Sequence, residues 1–95
     1  MKLTNERIRH LRIYHGMSLK EFAARIGTSF VTVHRIERGE LKVSDSMHAR
    51  IIEAFALDAY KLRTASKHYR NNIEPFEGEE RQKAVREELE AAGDE

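Results

Sequence analysis

Cysteine is absent from this 95-residue chain, which excludes a disulfide framework and any thiolate metal site. A reducing compartment suits such a chain. A single proline and five glycines leave little material for the many tight turns of an all-β fold. No stretch approaches the roughly 20 apolar residues of a membrane span, and the opening "MKLTNERIRHLR" lacks the apolar core of a secretory signal. A soluble, cytoplasmic protein with no membrane partner is expected. Patterns for catalysis are missing as well. There is no Ser/His/Asp order, no glycine-rich phosphate loop and no paired carboxylates in an apolar setting, so an enzyme is not expected. The histidines His10, His15, His34, His48 and His68 show neither HxxxH nor HExxH spacing. They read as surface or boundary residues, and no metal or cofactor is expected.

What is present is a small helical composition, 40% hydrophobic and 35% charged, enough for one core. The net charge of +1 conceals a split. Residues 1–73 carry five Lys and nine Arg against seven acids, a balance of +7. Residues 74–95 carry nine acids against three bases, a balance of −6. A basic body points to a polyanion partner, and an acidic tail to a protein-facing or regulatory role. A tail that only aids solubility is the plainer alternative.

Five helices can be punctuated from caps and periodicity. Thr4 opens "NERIRHLRIYHG", whose Ile8 and Leu11, with Arg12, share a face and whose end is Gly16. Ser18 and Glu21 form a capping box before Phe22, Ala23 and Ile26, and Gly27 ends that segment. Ser29 caps "FVTVHRIERG", with Gly39 just past its end. A fourth helix starts near Ser44 and repeats apolar residues at Met47, Ile51, Ala54 and Phe55. Asp58 caps the fifth, which runs to about Asn71–Asn72. "NNIEPFEG" reads as a linker, because Pro75 disfavours helix at Glu74. Beyond it, "EERQKAVREELEAAG" has strong helix formers but only a thin apolar stripe.

Residues 18–39 carry the most information: a capped helix, a turn through Gly27, then a second helix. On a helical wheel Val33 and Ile36 face a core, and Val31 and Arg35 point almost opposite Val33. The exposed face is Val31, Thr32, Arg35 and Arg38, with Phe30 and His34 at its margin. This is helix-turn-helix anatomy, in which the second helix enters the major groove.

The ordered set Ala23, Gly27, Val33, Ile36, Glu37 and Gly39 sits within "SLKEFAARIGTSFVTVHRIERGE", flanked by "IRHLRIYHGM" and "SDSMHARIIEAFALD". It resembles the lambda-repressor-like, Cro-type (Xre) helix-turn-helix family over about residues 5–62. The resemblance implies an all-α fold of five helices and sequence-specific binding to double-stranded DNA as a dimer. It also implies that Glu37 pairs with Arg12 as a structural ion pair. Base reading falls to Phe30, Val31, Thr32 and Arg35, and phosphate contacts to Ser18, Lys20, Ser29, Arg38, Lys42 and Ser44. Arg35 suits guanine O6 and N7, and Val31 suits the thymine methyl. Phe30 is read as partly tucked against Val33. The family commonly has Gln where this chain has Leu19, which cannot donate to a phosphate; backbone N–H groups at that helix start can.

The expected organisation is a DNA-binding domain over 1–70, a linker over 71–78 and an acidic helix or tail over 79–95. The expected function is transcriptional repression as a homodimer on a palindromic operator, of phage or bacterial kind. The alternatives are an antitoxin that autorepresses and binds a toxin through its tail, and a protein-binding module on a helix-turn-helix scaffold. Tyr60, Leu62, Ala65 and Tyr69 are read either as a dimer interface or as the completion of the monomer core.

Overall fold

The computed structural model describes residues 1–77. Five helices make up the fold: α1 (Asn5–Tyr14), α2 (Leu19–Ile26), α3 (Phe30–Glu37), α4 (Asp45–Phe55) and α5 (Ala59–Asn72). No strand occurs among the described residues. Each helix begins where a short polar side chain accepts a backbone N–H. Thr4 accepts from Arg7, Ser18 from Glu21, Ser29 from Thr32, Ser44 from Met47 and Asp58 from Lys61. Each such cap contributes about 1 kcal/mol. At Ser18 the Glu21 carboxylate also reaches back to the N-cap N–H, closing the capping box.

The turn between α2 and α3 depends on Gly27, whose φ of 73° is left-handed. Thr28 N–H then reaches back to Ala23 O at 2.9 Å, which turns the chain sharply into Ser29. An L side chain in that conformation costs roughly 1–2 kcal/mol. Arg50 of α4 donates to Gly27 O at 3.2 Å, so the turn is held from outside as well.

The core draws on all five helices. Ile8, Leu11, Phe22, Ala23, Ile26, Val33, Ile36, Ile51, Leu62 and Ala65 are buried, joined by Leu3 and Leu57 from the connections. α1 packs on α3 and α5, and α2 on α3 and α4. α3 is therefore gripped on its inner side by α1 and α2 together. Fully burying an aliphatic side chain such as Ile36 contributes about 1.5–3 kcal/mol.

The C-terminal part of the described chain bears on two points of the sequence. Leu62, Ala65 and Tyr69 are buried within the monomer against α1, and Tyr60 alone stays exposed. The stretch read as a linker over 71–78 is not extended in its described part. Residues 71–72 complete α5, and residues 74–77 form a further helical turn closed by Glu77 N–H to Ile73 O at 3.0 Å. Pro75 is tolerated because it stands in the first turn, where its missing N–H is not needed. Glu77 is then held by tertiary contacts that outweigh the preference of Glu74 for extended backbone. The acidic segment 79–95 lies outside the described residues.

Candidate nucleic-acid interface

α3 presents one face and buries the other. Val33 and Ile36 are buried, while Val31 is 51% and Phe30 46% exposed. Arg35 and Arg38 are also exposed, and Thr32 is half-buried beside them. The outward row is thus Val31, Thr32, Arg35 and Arg38, extended by Phe30 at the start of the helix. Phe30 is exposed and not tucked against Val33, the place its spacing from that residue predicts. Its ring instead receives the Lys20 ammonium 5.6 Å from its centroid, an arrangement favoured by the negative face of the ring. That contact joins the N-terminal ends of α2 and α3.

Most of the remaining polar residues of the face are already engaged. Ser29 Oγ lies 2.9 Å from Thr32 Oγ1 and accepts the Thr32 N–H at 3.3 Å. Ser18 and Ser44 accept backbone N–H groups from Glu21 and Met47 at 3.1 Å each. Lys42 is exposed in the α3–α4 loop. Arg35 and Arg38 converge on Glu40, with Arg35 Nε 3.9 Å from Glu40 Oε2 and Arg38 Nη2 3.3 Å from Glu40 Oε1. All three side chains remain substantially exposed.

Behind the face, α3 is fixed by charge and hydrogen bonds. Arg12 donates from Nε to Glu37 Oε2 at 2.6 Å and from Nη2 to Glu37 Oε1 at 2.9 Å. The Glu37 side chain is 6% exposed and Arg12 16%. Arg12 also donates to Met17 O at 3.0 Å, which ties the same guanidinium to the loop before α2. This two-pronged fork is the strongest form of arginine–carboxylate contact. Asn5 adds a second tie, its side-chain amide donating to Ile36 O at 2.6 Å and Leu41 O at 2.9 Å. Both amide protons are used, one on the last turn of α3 and one on the following loop.

A further cluster, absent from the sequence reading, lies where α1 meets α5. Arg9 donates to both carboxylate oxygens of Glu77 and to the Tyr69 hydroxyl, and Tyr69 donates in turn to Glu77. Arg9 Nε also stands 3.7 Å from Glu37 Oε1. Hydrogen bonding to Glu77 pushes the Arg9 pKa further up, against the opposing effect of burial. Burial, then the Glu77 hydrogen bond, pushes the Tyr69 phenol up. His10 stacks on Tyr69 with ring centroids 4.2 Å apart and shares a 3.0 Å hydrogen bond with Ser66. Burial holds its pKa below the ordinary histidine value. The partners Arg9 and Glu77 are far apart in sequence, and no local pattern connects them.

Among the described residues no cluster of His, Asp or Glu could hold a metal. None of their helices is long and apolar enough to cross a membrane. Neither the curated proteins nor the solved structures yield a match to the chain. A family model described as "Helix-turn-helix domain" matches residues 6–64. That span holds α2, the Gly27 turn and α3, and covers more than half of the sequence. The chain belongs to this helix-turn-helix family, a family of DNA-binding domains.

Proposed function

We propose that this protein is a sequence-specific regulator of transcription, of the Cro-type (Xre) kind, acting as a dimeric repressor on a palindromic operator. The observation that carries this reading is the outward row Val31, Thr32, Arg35 and Arg38 on a helix whose opposite side is buried. Arg35 contacts guanine O6 and N7, Val31 packs on a thymine methyl, and Phe30 and Thr32 border the same bases. Ser18, Lys20, Ser29, Arg38, Lys42 and Ser44 hold the phosphates. The balance of +7 over residues 1–73 supports a polyanion partner. In a dimer the two recognition helices stand about 34 Å apart on one side of the duplex. The functional division follows as a DNA-binding domain over 1–70, a connection over 71–78 and an acidic tail over 79–95.

A second reading rests on the −6 balance of residues 74–95. In it the protein is an antitoxin-like autorepressor, whose acidic tail binds a protein partner while α3 binds the operator. Selection of bound duplexes from a random pool tests the common part of both readings. The expected result is a palindrome with guanine and thymine at fixed positions in each half-site. Enrichment of no sequence, together with affinity that ignores salt, would refute DNA reading by α3. A purified partner that survives deletion of residues 1–70 and is lost on deletion of 79–95 would favour the antitoxin reading.

A further inference from the structure

Among the described residues, Glu40 is the acid paired with the cations of the α3 face, and its position is built into the end of the helix. Gly39 takes a left-handed φ of 78°. Its N–H bonds Ile36 O at 3.0 Å, and the Glu40 N–H then folds back onto Arg35 O at 2.9 Å. This two-bond closure is how a glycine-terminated helix satisfies its last carbonyls. It also anchors the Glu40 backbone to the residue whose side chain the carboxylate meets.

The side of Arg35 that faces Glu40 is Nε, 3.9 Å from Oε2. The two terminal nitrogens carry the four remaining N–H donors of the guanidinium. They are the edge that can meet guanine O6 and N7 together. Meanwhile Arg38 Nη2 takes the other carboxylate oxygen at 3.3 Å. We propose that Glu40 is a positioning residue for base readout, holding Arg35 by its Nε side and leaving the terminal edge for guanine. The inference rests on the reading of α3 as the recognition helix.

Two consequences separate this role from a simple change of charge. On a site containing guanine, Arg35 keeps its Glu40 contact while reading the base. On a random duplex, Arg35 and Arg38 gain only phosphates, which compete with the same carboxylate. Glu40 therefore suppresses sequence-independent binding more than specific binding.

The experiment compares the full-length wild type, Glu40→Gln, Glu40→Asp and Glu53→Gln on the selected operator. Guanine-substituted operators and a random duplex are measured beside it, at several salt concentrations. Glu40→Gln is expected to lose about two- to fivefold of its guanine preference, the range exposed ion pairs support. Its affinity for the random duplex should rise, with the salt slope steeper by about 0.9 as one cation is freed. Glu40→Asp should keep the random-duplex slope of the wild type, yet lose guanine preference because its carboxylate is one methylene shorter. Glu53→Gln makes the same change of charge on an exposed part of α4 and should leave guanine preference unchanged. The inference is overturned if Glu40→Gln shifts operator and substituted operators by one common factor, or if Glu53→Gln reproduces its effect. If the wild type binds no duplex in a salt-dependent way, the fault lies with the recognition-helix reading itself.

Discussion

Glu37 shows how a single residue near a functional face can be structural. Its carboxylate is enclosed between Arg12 and Arg9 at the end of α3, so its charge has no access to a ligand. Arg12→Ala should cost about 3 kcal/mol in urea denaturation, because Glu37 would keep a buried charge with only the more distant Arg9 to offset it. A loss under about 1 kcal/mol would mean that water replaces the guanidinium. His10 yields a prediction in pH. Burial depresses its pKa in the folded state, with Arg70 and Arg9 acting in the same direction and Glu6 and Glu74 opposing. The unfolded chain therefore binds the proton more readily than the folded one. Stability is full above the ordinary histidine value of about 6.5 and falls as pH drops toward the folded pKa. His10→Gln should flatten that part of the Tm profile, and an unchanged profile would rule His10 out. At this scale the sequence was only partly readable. The Arg12–Glu37 partners followed from a family resemblance. Asn5 and Arg9 did not, since their partners lie 31 to 68 residues away.

At the scale of elements, far more was visible in advance. Thr4, Ser18, Ser29, Ser44 and Asp58 all act as N-caps. Such positions are legible because capping is a contact between residues three apart. The end of α4 was less so, because Ala56 adopts a left-handed φ of 44° where glycine would be usual. Ala56→Gly should raise stability by up to about 1 kcal/mol, as relief of strain exceeds the added chain entropy. A fall in Tm would show that the backbone there is unstrained. Phe30 departs from the expected core flank, because a wheel gives direction but not depth. The neighbouring α2 offers Lys20 to its ring rather than an apolar pocket. For α3 as a reading element, Arg35→Ala should lose discrimination at one base pair, worth about 1–3 kcal/mol. Lys42→Ala should weaken all duplexes alike and lower the salt slope by about one. Fluorescence anisotropy on operator variants distinguishes the two. Equal weakening by both would overturn the assignment of readout to Arg35.

Over the whole molecule, the charge split need not coincide with a structural boundary. The helical turn over residues 74–77 belongs to the acidic part of the sequence, yet Glu77 is gripped by Arg9 and Tyr69 of the basic body. A chain ending at residue 73 should therefore be about 1–2 kcal/mol less stable than one ending at residue 78, since Arg9 and the Tyr69 hydroxyl keep each other but lose the Glu77 carboxylate. Equal denaturation midpoints would show that the Glu77 contacts contribute nothing. The sequence hid this boundary because proline is a local stop signal, whereas the grip on Glu77 depends on α1 and α5 already being packed.

The Asn5 amide has a chemical future of its own. It donates to two carbonyls, Ile36 O and Leu41 O, at the junction of α3 and its exit loop. Spontaneous deamidation would turn that NH2 into a carboxylate oxygen facing two other oxygens. Nothing in the hydrophobic core would be altered, yet the loop carrying Lys42 would be pushed from its seat. A chain carrying a carboxylate at that position would then keep its helices while its α3 exit loop shifted.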